Sequence, residues 1–379
     1  MTTYLACVGT RPEIIKMAPV YRSLKERGET VQVLHTGQHD DMAHALYRFF
    51  EMGPDYDMHI ERKAPSLSNL TAELMQGIDE KVAQAQPDVV LVQGDTASAF
   101  VGAMVGFFRH IPVAHIEAGL RTGLNDPFPE EKNRELIGRL AHWHFPPTPQ
   151  AAANLLREGI PAHQIFEVGN TVIDTALWMK NRMGHDQHES AVPPDVFQFL
   201  EDHLPARLML VTAHRRENWG QPIRLIASAV GALLQRHRDL IVVWPMHPNP
   251  AVREDIHAAF SALSPDGRAR LCLTEPLAYP ALISVLAHCH FTLTDSGGIQ
   301  EEASALRRPV LITRDSTERQ ELVDAGGAWL VGTDPHTIVQ KASMLLLDSA
   351  IYQSMQLSQC PFGDGQSAHR IADILTRIH

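Results

Sequence analysis

The sequence predicts an α/β protein of two doubly wound parallel-sheet domains facing each other across a cleft. Three observations predict it. Short apolar runs alternate with stretches that carry apolar residues at helical spacing. That alternation breaks over residues 183–206, a polar and irregular stretch with a Pro-Pro pair, and then begins again. The length of 379 residues also exceeds what one core ordinarily serves, so two domains of roughly 150–200 residues are expected.

In the first half Leu5–Val8, Val31–His35, Val89–Val92 and Val113–Ile116 read as strands. Ile14–Glu26, Asp41–Phe50, Leu67–Ala85 and Ala97–Phe108 read as the helices between them. His142–Phe145 and Ile165–Val168 are expected to extend the same sheet. In the second half the expected strands are Leu208–Thr212, Leu240–Trp244, Arg270–Leu273, Phe291–Thr294, Pro309–Ile312 and Trp329–Val331. A last helix, Ser367–Ile378, follows the break at Pro361-Phe362-Gly363-Asp364-Gly365. The expected boundaries are a first domain at 1–182, a linker at 183–206, a second domain at 207–362 and a closing segment at 363–379.

Composition narrows the function classes. Hydrophobic residues make up 44% and charged residues 20%, the balance of a globular protein with apolar surface for two cores. The formal net charge of −11 argues against a general nucleic-acid binder, which needs basic surface to neutralise phosphates. It leaves room for a local basic pocket around one phosphorylated ligand. Cys7, Cys272, Cys289 and Cys360 form no Cys-x-x-Cys pair, so neither a disulfide framework nor a zinc knuckle is expected. The chain opens on an apolar strand at Tyr4–Val8 without a leader pattern, and no apolar run reaches the ~18–20 residues of a membrane span. A cytoplasmic protein is the expectation.

In open parallel sheets ligands bind outside the carboxyl ends of the strands, so the residues that follow each strand carry the functional reading. The first strand runs into Gly9-Thr10-Arg11-Pro12-Glu13, with Pro12 in the favoured first turn of the next helix and Lys16 beyond it. The Gly-x-Gly-x-x-Gly and Walker spacings are both absent. An anion site at a helix N-terminus and an ordinary strand-to-helix turn both fit this loop. Val92-Gln93-Gly94-Asp95-Thr96 and His115-Ile116-Glu117-Ala118-Gly119-Leu120-Arg121 each put a carboxylate at a neighbouring strand end. Taken singly, Asp95 also reads as a helix N-cap and Glu117 as an ion-pair partner of Arg121. Together they read as a catalytic pair. Glu130 and Glu131 add acid at a helix start, where complementing the helix dipole is the alternative.

The second half places Thr212-Ala213-His214-Arg215-Arg216 and Thr294-Asp295-Ser296-Gly297-Gly298 after two of its strands. Ser296-Gly297-Gly298 opens a helix and offers backbone N–H groups to phosphate oxygens. Glu302, one turn on, is placed to accept ribose hydroxyls, and Arg314-Asp315-Ser316-Thr317-Glu318-Arg319 supplies phosphate-binding or structural cations. His142, His144, His288 and His290 lack further ligands at metal spacing, and Trp219, Trp244 and Phe145 read as core.

These motifs, in this order, resemble the non-hydrolysing UDP-N-acetylglucosamine 2-epimerases. The resemblance rests on Val8-Gly9-Thr10-Arg11-Pro12-Glu13 running to Lys16-Met17-Ala18-Pro19, Gly94-Asp95-Thr96 and His115 to Arg121. It continues through Pro129-Glu130-Glu131-x-Asn133-Arg134, Gly169-Asn170-Thr171-Val172-Ile173-Asp174, His214-Arg215-Arg216-Glu217, Asp295 to Glu302 and Gly363-Asp364-Gly365. It covers nearly the whole chain apart from the linker.

The resemblance implies two Rossmann-like domains in the glycosyltransferase-B arrangement, with the closing helix crossing back to the first domain. It implies reversible inversion at C2 between UDP-GlcNAc and UDP-ManNAc for surface polysaccharide, by a cytoplasmic homodimer without metal or other cofactor. By position, Asp95, Glu117, Glu131 and His214 would be catalytic. Arg11, Lys16, Leu277, Ser296, Gly297, Gly298, Glu302 and Arg319 would hold the UDP-sugar substrate. Gln38 and His39, with Asp41 and Ala64 nearby, resemble part of a site at which bacterial members take a second UDP-GlcNAc as activator. Leu282 stands where the family commonly has an aromatic residue near uracil, and Leu306-Arg307-Arg308-Pro309 replaces a glycine-containing turn.

The chemistry suits this inventory. The C2 hydrogen lies beside an amide nitrogen and is barely acidic, so loss of UDP to an oxocarbenium-like centre must come first. Elimination to 2-acetamidoglucal, protonation of the other face and re-addition of UDP invert the carbon. Carboxylates at the sugar and cations at the diphosphate serve that route. The alternatives are a glycosyltransferase of the same architecture, a hydrolysing epimerase that releases free ManNAc, an epimerase for a related UDP-2-acetamido sugar, and a non-catalytic sensor.

Overall fold

The computed structural model describes residues 1–38, 43–60, 66–123, 127–182 and 191–378. They form two compact units, one of residues 1–175 with 362–379 and the other of residues 176–361. Each unit holds one six-stranded, wholly parallel sheet.

The first sheet consists of β1 (Thr3–Val8), β2 (Thr30–His35), β3 (Tyr56–Asp57), β4 (Val89–Gln93), β5 (Val113–Ile116) and β6 (Trp143–Phe145), in the order β3-β2-β1-β4-β5-β6. Helices on both faces bury β1 and β4 almost completely, which is why these strands are continuous apolar runs rather than alternating ones. The helices Leu67–Ala85 and Ala97–Phe108 start at Ser66 and Thr96, whose hydroxyls accept the N–H groups of Asn69 and Ala99. Leu70, Leu74, Ile78 and Val82 form the buried stripe of the first of these helices. The second lies close to the sheet because Gly106 has no side chain; a Cβ there would stand 2.5 Å from Val113 Cγ2.

The second sheet consists of β7 (Arg207–Thr212), β8 (Leu240–Pro245), β9 (Leu271–Thr274), β10 (Phe291–Thr294), β11 (Val310–Ile312) and β12 (Ala328–Leu330), in the order β12-β11-β10-β7-β8-β9. Counted within its own unit, this is the 3-2-1-4-5-6 order of the first sheet. Each sheet therefore has one switch point where chain direction across the sheet reverses, between β1 and β4 and between β7 and β10. Trp244, Phe260, Phe291, Leu233 and Leu345 lie in the core of this second unit.

The final helix, Ser367–Ile378, packs on the first-unit helix Arg11–Glu26. Ile371, Ala372 and Leu375 are buried there, and Arg27 binds Asp373 Oδ1 at 3.0 and 2.6 Å. At the same end Asn170 N donates to Phe362 O at 2.7 Å, and Gly169, at φ +95°, leaves room for Ser367. Among the described residues no helix is long and apolar enough to cross a membrane.

Three details differ from the sequence reading. Ile165–Val168 is not a strand; a single bridge joins Ile165 to His144. Pro146 and Pro147 follow β6 and have no N–H to donate, so the ladder stops after three residues. β3 is two residues long and too short for periodicity to mark. The stretch expected to be a linker contains the helix Pro194–Asp202, which buries Val196, while residues 183–190 lie outside the described set.

Arg307 occupies the left-handed position (φ +57°) of a helix-ending turn, with Arg308 N bonded to Ala303 O at 2.8 Å and Arg307 N to Ser304 O at 3.1 Å. Glycine enters this conformation without penalty, and the Arg307 side chain is exposed. Arg307→Gly is expected to stabilise the protein by about 1 kcal/mol, measured as a rise in the urea midpoint at unchanged slope.

Candidate active site

In the first unit the polar residues gather at the switch point. β5 ends into Glu117, which holds a left-handed backbone at φ +63°, an uncommon state for a non-glycine residue and one that marks constraint. Its side chain is only 8% exposed and fully engaged. Lys16 Nζ lies 2.5 Å from Oε1, Asn170 Nδ2 donates to the same oxygen at 2.9 Å, and Gln93 Nε2 donates to Oε2 at 2.5 Å. Arg121 pairs instead with Glu158, at 2.7 and 2.9 Å.

Asp95 follows β4 beside Gly94, whose φ of +68° turns the chain. The buried His115 steadies that turn by donating from Nε2 to Gly94 O at 2.7 Å, and burial pushes its own pKa down to about 3, so the ring is neutral. The N-cap of the following helix is Thr96 rather than Asp95. Arg134 Nη2 binds Asp95 Oδ2 at 2.9 Å, and the other arm, Nη1, lies 3.5 Å from Glu131 Oε2. Glu131 is 1% exposed, and its Oε1 accepts Thr122 N at 3.0 Å and Gly123 N at 3.3 Å. Burial pushes the Asp95 carboxyl up to about 6; Arg134 pulls it down and neighbouring Glu117 pushes it further up. One arginine thus joins two of the expected carboxylates, and one lysine neutralises the third.

The loop after β1 is held by a fourth carboxylate. Glu13 is 1% exposed, accepts Gly9 N at 3.0 Å and Thr96 Oγ1 at 2.7 Å, and is pushed by burial up to about 7. A Cβ on Gly9 would collide with Thr36 and Ser98, so close packing of those hydroxyls accounts for this glycine. Arg11 stands half-buried in the first turn. Gln38, after β2, accepts Ser98 N at 3.1 Å and Ser98 Oγ at 2.8 Å. His39, Asp41 and Ala64 lie outside the described residues.

The second unit repeats the placement with different chemistry. His214 follows β7, and Ser296-Gly297-Gly298 follows β10 across its switch point. Thr212 and Thr294, paired in register, join their hydroxyls at 2.6 Å and tie the two strand ends together. Ser296 caps the helix Gly297–Ala305 without a side-chain bond, which leaves its first N–H groups available to an anion. The Arg319 guanidinium lies against Gly297, 3.3 Å from where a Cβ would be, and is steadied by buried Glu301 at 2.9 Å. Arg314 is taken up by Glu217 at 2.9 Å and Glu318 at 2.8 Å, the structural role among the two open to it. Glu302 and Leu277 are buried at this end, and Leu282 is half-buried on the helix Tyr279–His288. Among the described residues no group of three His, Cys, Asp or Glu side chains is arranged to hold a metal ion.

The structure thus brings Asp95, Glu117, Glu131 and Lys16 together in the first unit, and His214, Ser296, Gly297, Gly298 and Arg319 around one switch point in the second. Gln93, Asn170, Arg134 and Asp295 join these groups without having been assigned a role from sequence. Gln93, Arg134 and Asp295 each adjoin or lie within a motif that held an expected residue, which was the signal available.

A carboxyl raised in the folded state from 3.8 to about 6 favours the fold in its protonated form. Its contribution is complete below pH ~4 and lost as the pH rises through ~6. Asp95→Asn is therefore expected to raise stability above pH 7, by up to about 3 kcal/mol, and to leave it nearly unchanged at pH 3.5. Thermal denaturation at the two pH values measures this.

Comparison with known proteins shows the family and the fold. Residues 22–376 match the family model described as UDP-N-acetylglucosamine 2-epimerase. The UDP-N-acetylglucosamine 2-epimerase of Escherichia coli strain K12 is 41% identical over 374 residues, 98% of this chain and 97% of that protein. The protein of the same name from Bacillus subtilis is 42% identical, over 97% of this chain and 93% of its own. A crystal structure of the Neisseria meningitidis UDP-GlcNAc 2-epimerase bound to UDP-GlcNAc superposes with a TM-score of 0.88 at 37% identity, covering 99% of this chain and 100% of that one. With its paired Rossmann-like sheets and its acids collected at the first switch point, the chain belongs to the UDP-N-acetylglucosamine 2-epimerase family.

Proposed function

We propose that the protein interconverts UDP-GlcNAc and UDP-ManNAc by reversible inversion at C2, with Asp95, Glu117 and Glu131 serving the hexose and the second unit's loops serving UDP. The observation that carries this reading is the Asp95–Arg134–Glu131 bridge beside the Glu117–Lys16 pair. It gathers three carboxylates at one end of the sheet, which supports a role in meeting a sugar cation and moving a C2 proton.

Loss of UDP breaks the C1–O bond with its electron pair going to the phosphate oxygen. Glu117, clamped between Lys16, Gln93 and Asn170, holds fixed negative charge for the positive sugar. The C2 proton then goes to one member of the Asp95/Glu131 pair, leaving 2-acetamidoglucal, and a proton from the other arrives on the opposite face. UDP adds back. Asp95, with a value of about 6, exchanges a proton readily near neutrality, as a step run in both directions requires. Ser296–Gly298 N–H groups and Arg319 carry the diphosphate, with Arg11 a further cation, His214 at the leaving oxygen, and Glu302 and Leu277 at the nucleoside. The reading includes a cytoplasmic homodimer that makes a surface-polysaccharide precursor, as the family resemblance implies, with Gln38 at an activating site.

Proton NMR of UDP-GlcNAc with the purified protein in deuterated buffer tests this. The expected result is UDP-ManNAc with deuterium at C2 in both sugars. Turnover without C2 exchange, or release of free ManNAc as sole product, would overturn it. Asp95→Asn, Glu131→Gln and Glu117→Gln are each expected to lower kcat by roughly 100-fold or more, read in the same assay.

A further inference from the structure

Asp295 is wholly buried directly after β10, and burying a carboxylate without partners is costly. Its two oxygens are treated unequally. Oδ2 receives three donors, His214 N, Arg215 N and Asn218 Nδ2, each at 2.9 Å. Oδ1 receives no hydrogen bond and lies 3.2 Å from His214 Nδ1. The donors on Oδ2 fix the carboxylate plane and aim the other oxygen at the imidazole, whose side chain is half exposed.

We propose that Asp295 is a positioning residue for His214: it holds the proton on Nδ1 and turns Nε2 outward toward the UDP leaving group. The proposal rests on the epimerase reading for its kinetic consequence, but not for the tautomer. A carboxylate oxygen only accepts, so at 3.2 Å Nδ1 faces it without lone-pair repulsion only as N–H. Nε2 then accepts from a protonated diphosphate or, in the imidazolium, donates to an anionic one. The other groups beside His214 are Arg215 and Arg216 on its own loop and His247 after β8, which packs on the Trp219 ring at 5.4 Å. Of these, Asp295 alone offers an acceptor to Nδ1.

Substituting Asp295→Asn reverses the pattern. The amide oxygen takes the place of Oδ2 among the three donors, so the NH2 group faces Nδ1, which must then accept. Nitrogen-15 NMR of histidine-labelled protein is expected to show the Nδ1–H tautomer for His214 in the parent and the Nε2–H tautomer in Asp295→Asn. In the epimerisation assay the variant is expected to lose roughly 100-fold or more in kcat with KM changed less than threefold. An Nε2–H tautomer in the parent overturns the proposal whether or not the variant folds. So does an unchanged tautomer in a folded variant. A parent with the expected tautomer but no epimerisation would instead overturn the epimerase reading.

Discussion

Three carboxylates at one end of a sheet repel one another, and the first unit keeps Asp95, Glu117 and Glu131 together only because Lys16 and Arg134 stand among them. Both pairings are largely removed from water: Lys16 is 12% and Arg134 10% exposed. Under those conditions a missing cation, which would leave buried carboxylates unpaired, is far more costly than at the surface. Burial outweighs the pull of Arg134 on Asp95, and Glu117 adds to it, which is why Asp95 remains raised. A site with full compensation would hold its acids firmly ionised and would transfer protons poorly. The balance of charges and the reactivity of the acid are therefore one property.

The placement of these groups follows from topology. In both units the strands that flank the reversal of chain direction run into connections that, in open parallel sheets, diverge to opposite faces and leave a gap. The first unit fills its gap with acids and the second with a histidine, a glycine-rich helix start and an arginine. The strand order is shared, so the difference lies in a few residues that follow the strands. Architecture here determines where chemistry occurs, and the loops determine which chemistry.

Much of this was legible in the chain. The apolar runs at Val89–Val92 and Val113–Ile116 marked buried strands because a sheet covered on both faces has no polar side. Asp95, Glu117 and Ser296–Gly298 were found because they directly follow such runs. What escaped was long-range pairing. Asn170 meets Glu117 across 53 positions and Asp295 meets His214 across 81; no local spacing encodes either contact. Whether Glu117 would pair with Arg121, four residues on, or with Lys16 was equally invisible. The left-handed backbone at Glu117 turned its side chain toward Lys16, and Glu158 took the arginine. The expected strand at Ile165–Val168 failed for a local reason that was in view, the two prolines beyond β6.

The first unit is made from two separated stretches of the polypeptide, since the helix that covers Arg11–Glu26 is translated after the whole of the second unit. As the ribosome delivers the chain, the amino-terminal sheet must wait with the helix Arg11–Glu26 partly uncovered until some two hundred further residues have emerged. The enclosed unit, by contrast, is contiguous and complete in itself once synthesised. A nascent chain stalled near residue 360 would hold the second unit finished and the acid-bearing unit unfinished, so the order of synthesis makes the acid-bearing unit the later of the two to mature.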